Sequence, residues 1–424
     1  MRILLVTQYW YPENGVPQRR WSWLAKILID AGHEVCVVAP PPRNSRSIDD
    51  TTGDSSLTRK VPYKGAEGET IFRSSAYRIG DSITSKAASQ LLIALSQVRT
   101  LFKNRKQIEP DLVIGTVPAL PTAGVTWLAA KIFGRPYVID LRDAWPDLMG
   151  QATSWNAGVG DPSIREKLAK NGLLQLVTRV STKVLNSLLR GARAILVTSS
   201  TLKASLESRR ELSTRGASPE VVVIRNVFPV ASQPTGDRGS HRKSGHLNVL
   251  YAGTIGRAQN LQNALEAAKL AKQQGLQVHM IFVGAGAARE LLQEKAQEFG
   301  VDARFIRLKP AELLNAYYDW ADTALVHLAE WEPLRRTVPS KTYELLFNRI
   351  HISGVVEGEA ADLISSLGGG DVVAPQDPLA LANLWVSLGN NPKRLSVGTT
   401  GRDWVIRERE EMTPVRLLQI LQQI

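Results

Sequence analysis

Apolar and polar positions along this chain alternate between two rhythms. Ile3 to Val6, Glu34 to Val38, "DLVIG", "PYVID", "AILVT" near 194 to 198 and "VVVI" at 221 to 224 are short β-branched or aliphatic runs of strand length. Between them lie windows near 17 to 31, 84 to 104 and 120 to 133 whose apolar positions recur every three to four residues, the period of a helix packed along one side. Continuous apolar runs fit strands covered on both faces, so the pattern predicts βαβ units on a parallel sheet. Gly32 in "AGHEV" supplies the stop of the first helix.

The rhythm breaks at "FPVASQPTGDRGSHRKSGH", rich in Pro, Ser, Gly and charge and without periodicity, which reads as a linker. It resumes with "LNVLYAG", a helix near 260 to 274, "VHMIFVG", a helix near 286 to 299, "ARFIRL", "TALVHL", a helix after Ser340, "HISG" and "DVVAP". The expected fold is therefore α/β, with two Rossmann-like domains whose parallel sheets face each other across a cleft. The expected divisions are 1–228 for the N-terminal domain, 229–246 for the linker, 247–408 for the C-terminal domain and 409–424 for a last helix returning to the first domain. A chain of 424 residues also exceeds what one core usually organises. Residues 43 to 70 are polar and aperiodic and read as a long mobile excursion near the cleft.

Residues 112 to 130 carry no charge and are long enough to suggest a membrane span. Pro118, Pro121, Gly115 and Gly124 divide them better into strand, turn and helix. The N-terminus lacks a charged leader with a sustained apolar stretch behind it and reads as a first strand.

Charge narrows the partners. With 52 Lys and Arg against 40 Asp and Glu, the formal charge is +12, which favours an anionic partner: nucleotide, phospholipid surface or nucleic acid. Aromatic residues and basic charge do not interleave as a stacking platform, which argues against nucleic acid. The single cysteine, Cys36, sits in the apolar run "EVCVVA" as a small buried hydrophobe, and a disulfide framework is excluded. Six scattered histidines form no ligand cluster and no D-x-D stands at a strand end, so no metal or other cofactor is expected.

In open parallel sheets ligands sit beyond the carboxyl ends of the strands, and the loops there supply the candidate chemistry. "YWYPENGVPQRRW" follows the first strand; Gly15 lets backbone approach a ligand, and Pro17 suits the first turn of a helix whose amides attract an anion. A plain strand-to-helix turn is the other reading, and the absence of G-x-G-x-x-G gives no support to a dinucleotide. "LRDAWPD" places Arg142 and Asp143 just past a strand, either as a catalytic pair that orients a hydroxyl acceptor or as a pair that ties down its loop. "GLLQLVTRVSTKVLNSLLRGAR" reads as a core-packed helix or as a basic amphipathic helix lying on anionic lipid.

In the second block, "YAGTIGRAQN" puts Gly256 and Arg257 between strand and helix, suited to a diphosphate, and Leu308 in "RLKPAEL" stands where a loop would edge a nucleobase. "RTVPSKTYELLF" sets Pro339 and Ser340 at a helix start, with Ser340 as cap and Lys341 adding a point charge. Glu344 lies about one turn further in, where a carboxylate accepts from vicinal hydroxyls.

Taken together, "YPENGVPQRR", "DLVIGTVPAL", "VIDLRDAWPD", "VIRNVF", "YAGTIG", "PSKTYE" and "DVVAPQDPLALA" resemble, in order and over nearly the whole chain, the family 4 retaining glycosyltransferases of the GT-B fold. The likeness is nearest to the bacterial branch that assembles O-antigen and capsular polysaccharide. The resemblance implies a nucleotide-sugar donor held mainly by the C-terminal domain, no obligatory metal, and an acceptor held mainly by the N-terminal one. It implies that Glu344, matching the second Glu of the E-x7-E motif, holds the donor ribose. Gly15 matches the glycine near the transferring phosphate, Thr337, Val338, Pro339 and Ser340 the backbone that receives the diphosphate, and Leu308 the segment at the base.

Departures are plain. The first Glu of that motif falls on Arg336, and Thr254 and Gln259 stand where many members carry Arg and Lys, leaving Arg257, Arg336 or Lys341 to replace them. The His often found after the fourth or fifth N-terminal strand appears as Arg142. The expected activity is retaining transfer of a hexose or N-acetylhexosamine-type sugar from a UDP-sugar to a hydroxyl of a glycan or lipid-linked acceptor. The expected setting is cytoplasmic, with peripheral contact at an anionic membrane face. A catalytically silent GT-B subunit and a nucleotide-sugar epimerase are the competing expectations.

Overall fold

Two sheets organise the chain in the computed structural model, which describes residues 1–13, 15–42, 61–77, 83–117, 119–145, 147–150, 173–212, 218–230, 243–307 and 311–424. Met1–Asp143, Arg179–Phe228 and Met412–Ile424 form one compact unit, and Ala144–Thr178 with Pro229–Glu411 form the other.

The first unit runs β1 (Arg2–Val6), α1 (Val16–Asp30), β2 (Glu34–Ala39), β3 (Tyr63–Lys64), β4 (Thr70–Arg73), α2 (Ile83–Lys103), β5 (Leu112–Thr116), α3 (Pro121–Phe133), β6 (Tyr137–Leu141), α4 (Leu173–Arg190), β7 (Ala194–Val197), α5 (Ser200–Glu207) and β8 (Glu220–Val223). Its eight strands lie in the order β3-β4-β2-β1-β5-β6-β7-β8. β1 is central, with Ile3 beside both Val35 and Leu112 in parallel register. Only β3 among the described strands runs antiparallel, against β4.

The unbroken apolar runs follow from covering both faces. On one face Ile3, Leu5, Val37, Ile114 and Leu196 pack on Trp21, Leu24 and Leu28 of α1 and on Leu417, Ile420 and Leu421 of the C-terminal helix. On the other face a side chain on Gly115 would overlap Thr126 of α3, and the Tyr137 hydroxyl donates to the Leu188 carbonyl of α4 at 2.6 Å. α2 joins this second layer by donating from Gln97 to the Thr7 carbonyl at 2.6 Å. Cys36 is buried in β2, and burial pushes its thiol pKa up.

The second unit runs β9 (His246–Ala252), α6 (Gln262–Gln273), β10 (Gln277–Val283), α7 (Arg289–Glu298), β11 (Asp302–Ile306), α8 (Asn315–Trp320), β12 (Thr323–His327), α9 (Ser340–Phe347), β13 (Ile352–Val355), α10 (Glu359–Ser366), β14 (Gly370–Val373), α11 (Pro378–Asn390) and α12 (Thr400–Arg407). The C-terminal helix of the first unit is α13 (Thr413–Gln422). The six parallel strands lie in the order β11-β10-β9-β12-β13-β14, and Trp385 of α11 is fully buried among Leu265, Ala268 and Leu381.

The alternation read from sequence therefore gives the α/β fold with two parallel sheets. One expectation is corrected. Residues 61–70, read as part of a polar excursion, contain β3 and the start of β4, with Cys36 beside Thr70 in parallel register and Ile71 and Phe72 buried. A two-residue edge strand and a four-residue partner are too short to show periodicity. Residues 43–60 of that excursion and 231–242 of the linker lie outside the described residues. The uncharged stretch from 112 divides into β5 and α3, and among the described residues no helix is long and apolar enough to cross a membrane.

A charged pair fixes the first unit internally. Arg20 of α1 and Asp140 of β6 are both fully buried, with Nη2 to Oδ1 at 2.8 Å and Nε to Oδ2 at 3.3 Å. Trp21 Nε1 donates to the same carboxylate at 2.7 Å, and Arg20 Nη1 donates to the Ile224 carbonyl at 2.8 Å and to Asn226 Oδ1 at 3.1 Å. Desolvating two ions is tolerable only with this degree of pairing. Asp140→Ala would leave the guanidinium and indole without their acceptor, so it should cost roughly 3–5 kcal/mol and lower the urea midpoint of the first unit. The Trp fluorescence transition should report that loss, whereas the surface pair Lys26–Asp30 should be removable with almost no shift.

Candidate functional site

The chain leaves β9 towards β10 and β11, then returns to lay β12 on the other side of β9, which makes β9 and β12 the place where strand order reverses. In open parallel sheets such a reversal, at the carboxyl edge, is where ligand sites form. The β9 loop is pinned by backbone bonds from Gly253 to Val283 and from Ile255 to Ala285, at 2.9 and 3.0 Å. Ala329, after β12, donates to the Ala258 carbonyl at 2.8 Å.

Lys341, in the first turn of α9, reaches the end of β9 and its loop at this reversal. Its Nζ lies 3.6 Å from the centre of the Tyr251 ring, and a side chain on Gly253 would stand 2.7 Å from it. Gly253 has φ +150, a conformation that a side chain would strain, so glycine serves both the turn and the lysine. The Tyr251 hydroxyl donates to the Thr254 carbonyl at 2.6 Å, which fixes the ring under the amine. The amine itself is inaccessible to solvent and has no hydrogen-bond partner among the described residues. Burial lowers its pKa to about 7, against the opposing pull of the Glu344 carboxylate. His327, at the end of β12, is held at a pKa of about 3 by burial and is therefore neutral, with Asn263 at 3.1 Å from its Nε2.

Glu344 sits one turn into α9 and accepts from the Tyr318 hydroxyl of α8 at 3.0 Å. Pro339, rather than Ser340, occupies the cap position of α9, and no side chain caps the helix; Ser340 is its first residue. The expected serine cap is thus corrected: proline fixes the entry, and the first-turn amides keep no side-chain partner within the cap. Thr337 closes the preceding turn by donating to Leu334 at 3.0 Å, and Val338 is buried. Arg336 is held by Asp147 and Glu332, each at 2.6 Å, so its charge is locally matched.

Gly256 donates to Gln259 Oε1 at 3.2 Å across the short turn Arg257–Gln259, and Arg257 Nε is buried with no partner among the described residues. Leu308 lies outside the described residues. Lys341, Gly253, Tyr251 and Glu344 are thereby brought together by α9 and β9, with Gly256 and Arg257 on the same β9 loop.

In the first unit, Gly15 precedes α1 in extended backbone, and a side chain there would meet Gln18 Oε1 at 2.6 Å. Arg142 and Asp143 follow β6, two and three residues beyond the buried Asp140. Burial lowers the Arg142 pKa and raises that of Asp143, each opposed by the attraction between them. Arg142 Nε is buried without a partner among the described residues, while its carbonyl accepts from Thr198 Oγ1 at 3.0 Å. Among the described residues no group of three or more His, Cys, Asp and Glu side chains could hold a metal ion.

Sequence reading placed Gly253 in the diphosphate turn of "YAGTIGRAQN" but missed Tyr251 and Tyr318 beside it. "LYAG" looks like an ordinary buried strand end, and only the folded chain brings the Lys341 side chain over the Tyr251 ring.

Two parallel-sheet α/β units with the site at a strand reversal define the GT-B class of glycosyltransferase fold. The chain aligns over its full length with sucrose-phosphate synthase from Thermosynechococcus elongatus, covering 99% of that chain at 16% identity and a TM-score of 0.71. It aligns likewise with Anabaena HepE, solved in complex with UDP-glucose, covering 99% of that chain at 14% identity and a TM-score of 0.65. By sequence, it is 28% identical over 337 residues to WcaI of Escherichia coli (strain K12), named as a glycosyl transferase of colanic acid biosynthesis, covering 77% of this chain and 76% of WcaI. A glycosyl transferase 4-like domain matches residues 15–227, half of the chain, and a glycosyl transferases group 1 domain matches 235–339. The chain belongs to this glycosyltransferase family.

The lowered Lys341 pKa makes stability depend on pH. Between about pH 7 and its ordinary value of 10.5, the unfolded chain binds a proton that the folded chain does not, so stability rises with pH across that window. Lys341→Met removes this dependence. The variant should melt above the wild type at pH 7, with the gap narrowing by pH 9 in thermal unfolding.

Proposed function

We propose that this chain is a retaining, metal-independent glycosyltransferase. It moves a hexose or N-acetylhexosamine-type sugar from a UDP-sugar to a hydroxyl of a glycan or lipid-linked sugar, in cell-surface polysaccharide or glycolipid assembly. Its setting is the cytoplasm, at the inner face of the cell membrane. Family membership supports the transfer chemistry, and the names of WcaI and of the HepE complex support the polysaccharide and the UDP-sugar. The observation that carries the reading is Lys341, an inaccessible and unpartnered amine at the strand reversal beside the amino end of α9.

As the bond from the sugar to the diphosphate breaks, negative charge accumulates on the leaving oxygens, and groups fixed in advance stabilise it without reorganising. Lys341 supplies that charge on taking up a proton, and the first-turn amides of α9, those of Ser340 and Lys341, supply oriented dipoles. The Thr337–Ser340 backbone and Arg257 border the same phosphates. Glu344, oriented by Tyr318, accepts from the two ribose hydroxyls. Gly15, Arg142 and Asp143 are assigned to the acceptor side, with Asp143 receiving the acceptor proton and Arg142 steadying the carboxylate.

Calorimetry with UDP tests the donor half. Wild-type affinity should fall by up to about tenfold per pH unit above pH 7, with proton uptake visible as buffer-dependent heat, and Lys341→Met should flatten that profile. A wild-type affinity that does not vary with pH would remove Lys341 from the phosphates.

Glu344→Ala should weaken UDP by roughly tenfold or more while leaving inorganic pyrophosphate unchanged. Equal losses for both ligands would refute the ribose role. Transfer to a lipid-linked sugar, followed by NMR of the anomeric proton with and without EDTA, tests retention and metal independence. UDP-sugar binding without turnover across donors would favour a silent subunit, and conversion of donor alone would favour an epimerase.

A further inference from the structure

One layer of the first unit presents an unusual surface. α2, α3 and α4 cover the same sheet face, as the contacts of Gln97, Thr126 and Leu188 show. Their outer positions include Leu91, Leu95, Phe102, Trp127, Val180 and Val184, each between 41% and 59% exposed. Leu91, Leu95 and Phe102 repeat at helical spacing along one stripe of α2, and Val180 and Val184 do so on α4.

The charges around these residues have one sign. Arg99, Lys103, Lys131, Arg179, Lys183 and Arg190 are exposed on the same three helices, and neither Asp nor Glu occurs anywhere in them. Elsewhere in this unit, exposed helices match their cations at i,i+4, as Lys26 with Asp30 on α1 and Lys203 with Glu207 on α5. An exposed helix for water has reason to pair its lysines; a helix for an anionic apolar boundary has reason to leave them unpaired.

We propose that the outer face of α2, α3 and α4 is the surface by which this protein docks on an anionic lipid bilayer. Leucine, phenylalanine and tryptophan side chains enter the boundary between headgroups and acyl chains, while arginine and lysine reach outward to the phosphates. A second copy of the chain is a poor occupant, because two such faces would bring like charges together without an acid to separate them. A nucleic acid would use the cations but would leave the apolar stripe of α2 in water. The proposal extends the membrane side of the proposed function and rests on that reading for the acceptor's location. Vesicle binding needs neither donor nor acceptor, so failure of one reading is distinguishable from failure of the other.

The test is co-sedimentation of the full chain with vesicles of phosphatidylglycerol and phosphatidylcholine, compared with phosphatidylcholine alone. Binding should require phosphatidylglycerol and weaken as salt rises. Leu91→Ser with Leu95→Ser and Phe102→Ser should lower the partition coefficient about tenfold or more. Arg99→Glu with Lys103→Glu should do the same. All five positions are exposed, so unchanged melting and unchanged UDP affinity would show that the variants remain folded. Equal partition of wild type and both variants, or equal binding to the two vesicle types, would overturn the proposal. So would a wild-type dimer that the serine variant dissolves without loss of lipid binding, or duplex binding that both variants retain.

Discussion

Taking a charge out of water costs several kcal/mol unless something answers it, and this chain does so twice with opposite resolutions. Arg20 is enclosed with Asp140, Asn226 and backbone carbonyls, so its guanidinium is matched on every side that the fold can reach. Lys341 is enclosed with a tyrosine ring and no hydrogen-bond acceptor among the described residues. The first arrangement spends its interactions on holding α1 to β6. The second keeps a cation's interactions in reserve, and that difference marks one place as framework and the other as site.

Position in the sheet explains why the two differ. Arg20 and Asp140 lie where α1 crosses the strands, in the sealed interior of the layer, where an unmatched charge would have no compensation. Lys341 lies where β9 and β12 part, at the open edge that every parallel sheet leaves at a strand reversal. The ring of Tyr251 attracts a cation without accepting its hydrogen bonds in the way a carboxylate would. It therefore supports the amine while leaving its donors for an anion, and the lowered pKa is the measure of that incomplete compensation.

Much of this fold was legible because both faces of each sheet are covered, which makes the strands continuous apolar runs between helical windows. β3 and β4 escaped detection because neither is long enough to establish a rhythm. At the site, the helix bearing Lys341 and Glu344 could be read from "PSKTYELLF", since proline and periodicity mark its start. Its cap could not: whether Pro339 or Ser340 takes the cap position depends on backbone angles that spacing does not specify. Tyr251 was illegible for another reason, although the glycine turn after it was not. Its part in the site comes from the Lys341 side chain reaching its ring, a contact between residues about ninety positions apart in sequence.

Arg336 shows how such departures are absorbed. Where the family resemblance leads one to expect an acid, this chain carries a cation, and left alone it would compete with Lys341 for any anion nearby. Instead Asp147 and Glu332 both close on it at 2.6 Å, so that the inverted charge is neutralised by one acid from its own turn and one from a distant segment. With Thr254 and Gln259 uncharged on the β9 loop, unspent donors among the described residues remain on the α9 lysine and on Arg257 of that loop. A positive charge in the first turn of α9 stands at the strand reversal, in line with the helix dipole. A cation at the amino end of a helix is disfavoured by that dipole, which acts in the same direction as the burial that lowers the amine's pKa. In the proposed role, charge on the lysine is then coupled to the arrival of the leaving diphosphate.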